Sequence, residues 1–389
     1  MKMAFFHDSK FKYDKNNDYY TSGGLNDRFL KEYLNYFEKI TLITRKEKIN
    51  KSEDISKYSL ISLNDVQFDC LDSLNIFSIF FGKSNKIIKK NIINNDYIII
   101  RLPSIIGIKA CQYCNKYKKK YLIEMVGCPF DSLWNYGGIK AKLIAPILTL
   151  ITKILVKKSK NVLYVSNVFL QKRYPNNKNT IGVSDVKIDK PDKKILDKRI
   201  KKINSYDENT IYKFGLIGSL KINYKGHDTA IKALSRLKDK INFELHFLGS
   251  SDDRSINKWK QLATKYGIEK NIYFDGVLPG GKPVFNWMDD MDFYLIPSLQ
   301  EGLPRALVEA MSRASVCIGA KTGGIVELLE SDSIIRRKDD KAMSILIDNL
   351  IGNKSKMIDV ATRNFNFSRN YEEEKLLLKR RKFYKDTLK

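Results

Sequence analysis

Two carboxylates in this 389-residue chain, Glu301 and Glu309, flank an expected helix start, and a lysine, Lys225, stands just before another. Carboxylates accept hydrogen bonds from hydroxyls, and an ammonium group neutralises an anion. Glu301 lies in a short loop, Ser298 to Leu303, and Glu309 follows after seven intervening residues. Between them run Gly302, Leu303, Pro304 and Arg305, which predict the opening of a helix. Pro304 suits the first turn, where a missing N–H is harmless. Unpaired amides and the helix dipole make such an end receptive to an anion. A second loop, Thr322-Gly323-Gly324, has the bare backbone needed for close approach to a ligand.

The elements that must position these groups follow from the apolar pattern. Phe293 to Ile296 reads as a buried strand, and Ala306, Leu307, Ala310 and Met311 give the following helix an apolar face. Upstream, Tyr212 to Gly218 reads as another strand. Ser219-Leu220, a basic loop and Lys225-Gly226-His227-Asp228 then lead into a helix. The first half repeats this alternation. Strands are expected at residues 3–7 (ending at His7-Asp8), 40–44, 97–101, 121–126 and 161–166. Thr21-Ser22-Gly23-Gly24 leads into a helix over about 25–37, an arrangement also friendly to phosphate. Residues 45–95 carry little periodicity, with a turn expected at Asn91 to Asn95. Strands alternating with helices imply parallel sheets, with ligands gathering beyond the strand C-termini. A polar, Lys/Asp-rich stretch from Asn176 to Thr210 reads as a linker.

EGLPRALVEAM followed by TGGIVELL resembles the donor-site signature of retaining glycosyltransferases of family 4, the group 1 glycosyltransferases. The resemblance implies the GT-B fold: α/β, with two Rossmann-like parallel-sheet domains facing a deep interdomain cleft. The N-terminal, acceptor-side domain would be 1–180 and the linker 181–210. The nucleotide-sugar-binding domain would be 211–370, with the last helix, about 371–389, crossing back. The family's paired-glutamate motif falls on Glu301, beside the donor sugar, and Glu309, accepting from the ribose hydroxyls. The Gly23-Gly24 loop would face the cleft, and Gly218 would line the donor. Lys225 matches a family lysine that clamps the donor diphosphate. Ser219 stands where an arginine is common, so the missing charge falls to Lys221, Arg305 or helix amides. A family histidine after the 121–126 strand is absent from MVGCPFD; Asp131 is the nearest carboxylate past it. Glu124, within the strand, reads as structural.

Composition narrows the classes. A 43% hydrophobic, 29% charged chain is ordinary for a globular protein, and 389 residues allow two domains. The opening Met1 to Phe6 reaches His7-Asp8 too soon for a signal core, so a cytoplasmic chain is expected. The formal charge of +26 comes with no helix-turn-helix, zinc-finger or RNP signature, so nucleic acid is not expected. Attraction to anionic lipid at the inner face of the plasma membrane and plain solvated faces fit that charge equally. The helix Ala141 to Lys160, apolar with basic ends, could rest on a membrane; a core-facing role is preferred. Five cysteines imply reduced thiols, Cys111 and Cys114 in a helix over 109–120 included. Asp290-Met291-Asp292 has a metal-chelating shape but precedes its strand, so it reads as structural and no metal or other cofactor is expected. His246, inside a strand over 243–249, reads as a packed core residue.

The chemistry that the resemblance implies is transfer of a hexose-type sugar from a nucleotide-diphosphate sugar to a hydroxyl of a glycan or lipid-linked acceptor, with retention. The expected setting is bacterial surface polysaccharide synthesis. Negative charge builds on the departing diphosphate, so fixed positive ends there favour the transition state. The leaving phosphate would serve as general base. Two other classes compete: a sugar-nucleotide epimerase on the same architecture, which needs acid and base groups, and a non-catalytic basic protein that binds membrane or nucleic acid.

Overall fold

The computed structural model of the chain describes residues 1–388 apart from 51, 52, 56, 57, 73, 74 and 137. Two units emerge. The first is Met1–Leu133, Gly138–Val183 and Arg381–Lys389; the second is Ser184–Arg380 with Trp134–Gly137.

In the first unit the strands are β1 (Lys2–Tyr13), β2 (Tyr19–Thr21), β3 (Lys39–Lys48), β4 (Ser59–Leu60), β5 (Val66–Phe68), β6 (Tyr97–Leu102), β7 (Tyr121–Met125), β8 (Asn161–Tyr164) and β9 (Asn179–Gly182). Among the described residues, seven of them form a parallel run ordered β5-β3-β1-β6-β7-β8-β9, with β2 and β4 added antiparallel. β6 is buried at all six positions, as a strand covered on both faces must be. β1 continues past His7-Asp8 to Tyr13, with a register shift between Phe6 and Lys10, because Lys12 and Tyr13 find partners in β2. Residues 91–94, expected as a turn, close the helix Lys83–Asn94. There Asn91 donates to the Ile87 carbonyl, so its amide supports the helix instead of breaking it. The helix expected over 109–120 runs Ile105–Lys116, started by Ser104 and by the Asp8 carboxylate, which accepts from the Ile105 and Ile106 amides. All five cysteines are buried and free.

The helix Ile139–Lys158 meets its core-facing expectation on one side only. Ala145, Thr152, Leu155 and Val156 pack inward, but Leu143, Ile147, Leu150 and Ile154 on the other side are exposed. Periodicity could not separate the faces, since both are apolar.

The second unit holds β10 (Ile211–Ile217), β11 (Asn242–Leu248), β12 (Ile272–Gly276), β13 (Phe293–Ile296), β14 (Val316–Ala320) and β15 (Ile334–Ile335). They form a parallel sheet ordered β12-β11-β10-β13-β14-β15. Alternate residues (Phe214, Leu245, Phe247, Phe293, Leu295, Ile318) enter one core with Trp259 and Met343. Truncating one such side chain to Ala costs about 2–5 kcal/mol. The order reverses between β10 and β13, which leaves a crevice at their carboxyl ends.

Two features of the chain path differ from expectation. The stretch 181–210 is no plain linker: it carries the helix Lys193–Asn204, assigned to the second unit. Its Leu196 and Ile203 are buried, and buried Arg199 donates to the Met291 carbonyl at 2.6 Å. Lysines on the outer face hid that stripe in the sequence. The last helix, Glu373–Leu388, ends in the first unit, where the Tyr384 hydroxyl donates to Glu124 at 2.6 Å. Glu124 also accepts from Tyr33 at 2.7 Å and lies 3.6 Å from Arg101, partners that give this buried carboxylate a structural role.

Candidate functional site

The chain leaves β10 and β13 at the point where strand order reverses, and both exits carry the sequence-identified groups. After β10 come Gly218 and Ser219, a single turn Asn223–Lys225, Gly226 and the helix His227–Ser235. After β13 come Pro297 to Pro304 and the helix Arg305–Ser312. The helix starts one residue later than expected. Pro304 is its N-cap and supplies no side-chain hydrogen bond, so the first-turn amides carry no side-chain cap.

Backbone contacts fix these loops to one another. The Leu299 amide donates to the Tyr224 carbonyl at 2.7 Å. Gly226 has φ +80, and a Cβ there would lie 2.3 Å from the Pro297 carbonyl oxygen, so only glycine fits. Gly323 has φ +49, and its Cβ would fall 1.8 Å from the Glu301 carbonyl oxygen. Next to it, the Gly324 amide donates to the Gly302 carbonyl at 2.6 Å. The Gly-Gly loop therefore brings bare backbone against the Glu301–Gly302 loop, where the sequence pointed to a ligand.

Within this frame the Lys225 Nζ lies 2.8 Å from the Glu301 Oε1, with the Glu301 side chain 9% exposed. A cation and a carboxylate from two neighbouring strand exits thus neutralise each other. The stem of Lys225 runs over Gly218, where an added Cβ would approach its Cγ to 2.7 Å. Glu309 is partly buried, and its carboxylate has no hydrogen-bond or ion-pair partner among the described residues. Burial raises its carboxyl above the ordinary range, and the charge of Arg305 pulls the other way. Fully buried Tyr294 registers both glutamates: burial first, then the charges of Glu301 and Glu309, hold its phenol well above the usual range.

Other expected residues have different surroundings. The Ser219 hydroxyl donates to the Ser250 carbonyl at 3.1 Å and accepts from the Ser250 hydroxyl at 2.8 Å. Ser250 went unremarked in the sequence, although it directly follows the Gly249 that ends an apolar run. Lys221 lies 3.4 Å from Asp252, and Arg305 is exposed with no ion-pair partner among the described residues. Asp131, Gly23 and Gly24 belong to the first unit. Asp131 is buried, in the first turn of the helix Pro129–Tyr136, 3.5 Å from Arg173. Gly23 and Gly24 are exposed, with the Gly23 amide donating to the Thr21 hydroxyl at 3.0 Å.

Asp292 accepts from the Tyr206 hydroxyl at 2.5 Å and the Lys213 amide at 2.8 Å, and lies 2.6 Å from the Lys202 ammonium. Those bonds give Asp292 a structural function, and the Asp290 carboxylate accepts from the Lys213 ammonium at 2.9 Å. His246 is not a plain core histidine. Its ring stacks on Tyr273 and sits 3.0 Å from Asp275 and 3.2 Å from Glu244. Burial opposes its protonation, yet bonds to Asp275 and Glu244 raise its pKa overall. His227, fully buried against Phe247 and Trp259, is held neutral, with burial lowering its pKa to about 3.

A sequence model of the family described as "Glycosyl transferases group 1" matches residues 212–353, the segment that holds these loops. Protein CapJ of Staphylococcus aureus is 30% identical over 388 residues, covering 98% of this chain and 94% of that one. The putative colanic acid biosynthesis glycosyltransferase WcaL of Escherichia coli (strain K12) is 30% identical over 134 residues, 31% of each chain. Among solved structures, Anabaena HepE in complex with UDP superposes with a TM-score of 0.70 at 13% identity, over 99% of this chain and 100% of that one. The same protein in complex with UDP-glucose gives 0.67 at 14% identity, with the same coverage. Two parallel-sheet units, paired strand exits carrying Lys225 and Glu301, and a relative alike along almost its whole length agree: the fold is GT-B, and the chain belongs to the group 1 glycosyl transferases.

Proposed function

We propose that this chain transfers a hexose-type sugar from a nucleotide-diphosphate sugar to a hydroxyl of a glycan or lipid-linked acceptor, with retention of configuration, as a family 4 enzyme. The observation that carries the reading is the Lys225–Glu301 pair at the strand-order reversal. On donor binding, Lys225 exchanges Glu301 for the diphosphate, and Glu301 is released to accept from sugar hydroxyls. Glu309, a carboxylate still without a partner, accepts from the ribose hydroxyls. Amides of Gly302, Leu303 and Arg305, with the Arg305 side chain, face the charge that grows on the leaving group; each such donor is worth roughly a hundredfold in rate. Ser219 and Gly218 line the same crevice, and Lys221, engaged with Asp252, is a weaker substitute for the missing arginine than Arg305 is. The leaving phosphate takes the acceptor proton, and these residues act without a metal ion, the Asp290/Asp292 pair being held by its structural bonds.

HepE has been crystallised with UDP and with UDP-glucose, which supports a nucleotide-sugar donor here. WcaL is named for colanic acid, which supports an acceptor in surface polysaccharide synthesis. On the acceptor side, Asp131, Gly23 and Gly24 orient the glycan; Asp131 does so from its pair with Arg173. The enzyme works in the cytoplasm, at the anionic inner face of the plasma membrane. Nucleotide release from a panel of nucleotide sugars tests the reading. Glu301→Ala should lose about a hundredfold or more in transfer while melting like the parent. Full transfer by that variant would overturn the assignment.

A further inference from the structure

We propose that the outward face of the helix Ile139–Lys158, joined by the short helix Ile76–Phe80 and Phe81, is the surface by which the first unit rests on an anionic lipid leaflet. This deepens the membrane part of the proposed function, and its failure would leave sugar transfer untouched.

A surface helix normally hides one apolar stripe and shows polar groups to water. The helix Lys193–Asn204 obeys that rule, with Leu196 and Ile203 inside and lysines outside. The helix Ile139–Lys158 breaks it. Opposite its buried stripe a second one, Ile139, Leu143, Ile147, Leu150 and Ile154, faces outward, with Ile139 80% and Leu143 69% exposed. These positions recur at three- and four-residue spacing, so they form one continuous ridge. The helix carries no Asp or Glu, and its Lys142, Lys153, Lys157 and Lys158 are exposed. No helix among the described residues is long and apolar enough to cross a membrane, so this ridge suits lying on one.

A second exposed apolar group belongs to the same unit. Phe77 is 72% and Phe81 76% exposed, with ring centroids 5.7 Å apart. Both helices pack on Ile105–Lys116, whose Lys109 lies over the Phe80 ring at 5.0 Å. Charge selects the occupant. In a two-fold contact between copies, crossing antiparallel near Ile147, Lys142 of one copy would meet Lys153 of the other, like charge against like. An anionic leaflet satisfies both the ridge and the lysines that flank it.

The test uses the full chain and vesicles of phosphatidylcholine, with or without phosphatidylglycerol. The parent should co-sediment with the mixed vesicles and far less with phosphatidylcholine alone. A triple variant, Leu143→Ser, Ile147→Ser, Leu150→Ser, should lose about tenfold or more of vesicle partitioning. It should keep the parent's melting temperature and its binding of UDP. Phe77→Ser with Phe81→Ser should give a smaller loss, and Lys142→Gln with Lys153→Gln should reduce binding only to the charged vesicles. Unchanged partitioning of the triple variant would overturn the proposal. So would a parent that ignores vesicles but runs as a dimer that the triple variant dissolves, which would assign the ridge to a second copy.

Discussion

The loop at Thr322–Gly324 in the second unit and the loop at Thr21–Gly24 in the first both contain a Gly-Gly pair, and they use it for different ends. In the second unit the glycines are required, because carbonyl oxygens of Glu301 and Gly302 occupy the space a side chain would need. In the first, an added Cβ at Gly24 meets nothing within 4 Å. One loop is fixed from all sides before any ligand arrives; the other is an open turn. The contrast follows the proposed division of labour. A diphosphate has one geometry and rewards a rigid, prebuilt set of donors, whereas acceptor sugars vary and need less prearrangement.

The largest effect expected from this contrast is with alanine. Gly323→Ala should cost about 2–4 kcal/mol of stability and most nucleotide binding, since backbone must move at a positive φ. Gly24→Ala should stay within about 0.5 kcal/mol of the parent. Paired thermal melts and UDP titrations decide it, and equal losses would break the comparison.

A smaller effect sharpens the same picture within the second unit. Glu309→Gln should weaken UDP binding by about tenfold, hydrogen bonds to a carboxylate being worth roughly 1.5–3 kcal/mol. The same variant should melt higher than the parent at neutral pH. The raised pKa means the folded state disfavours the ionised carboxylate; that penalty is present above the ordinary carboxylate range and vanishes once acid protonates the group. The two melting curves should therefore converge at low pH, and a gap that persists there would contradict this account of Glu309.

The smallest effect concerns the far side of the second unit. His246 has a raised pKa, so its bonds to Asp275 and Glu244 add stability in full below the ordinary histidine value of 6.5, and that contribution is lost as pH rises through the higher folded value. His246→Asn should flatten the stability profile from pH 6.5 upward while leaving UDP binding alone. A parent profile already flat in that window would show that the ring does not titrate there.

Local signals made the strand-exit loops of the second unit legible in the sequence. The strand at 293–296, the glutamate loop, Pro304 and the Gly-Gly pair all lie within one short stretch, and each has its own steric or capping reason. The ion pair between Lys225 and Glu301 was beyond reach, since 76 residues separate partners that only the parallel pairing of β10 and β13 brings together. His246 was misjudged for the same reason, because Asp275 comes from the next strand. The helix Ile139–Lys158 faces the core as its pattern implies, but its second, exposed apolar face was not legible, since periodicity reports that a face is apolar and not what covers it. The helix at 193–204 was lost among lysines whose stems turn outward. Family resemblance supplied the roles proposed for Glu301 and Glu309; spacing supplied only their separation.

The reach of Tyr384 back to Glu124 has a consequence for synthesis. A ribosome delivers 260 further residues after Glu124 before the hydroxyl that completes its hydrogen bonding exists. The amino-terminal unit therefore remains unfinished while the carboxyl-terminal one acquires its sheet. Sequence order and order of completion run opposite to each other, and a nascent chain halted before its final helix would expose an unsated carboxylate in the heart of the part made first.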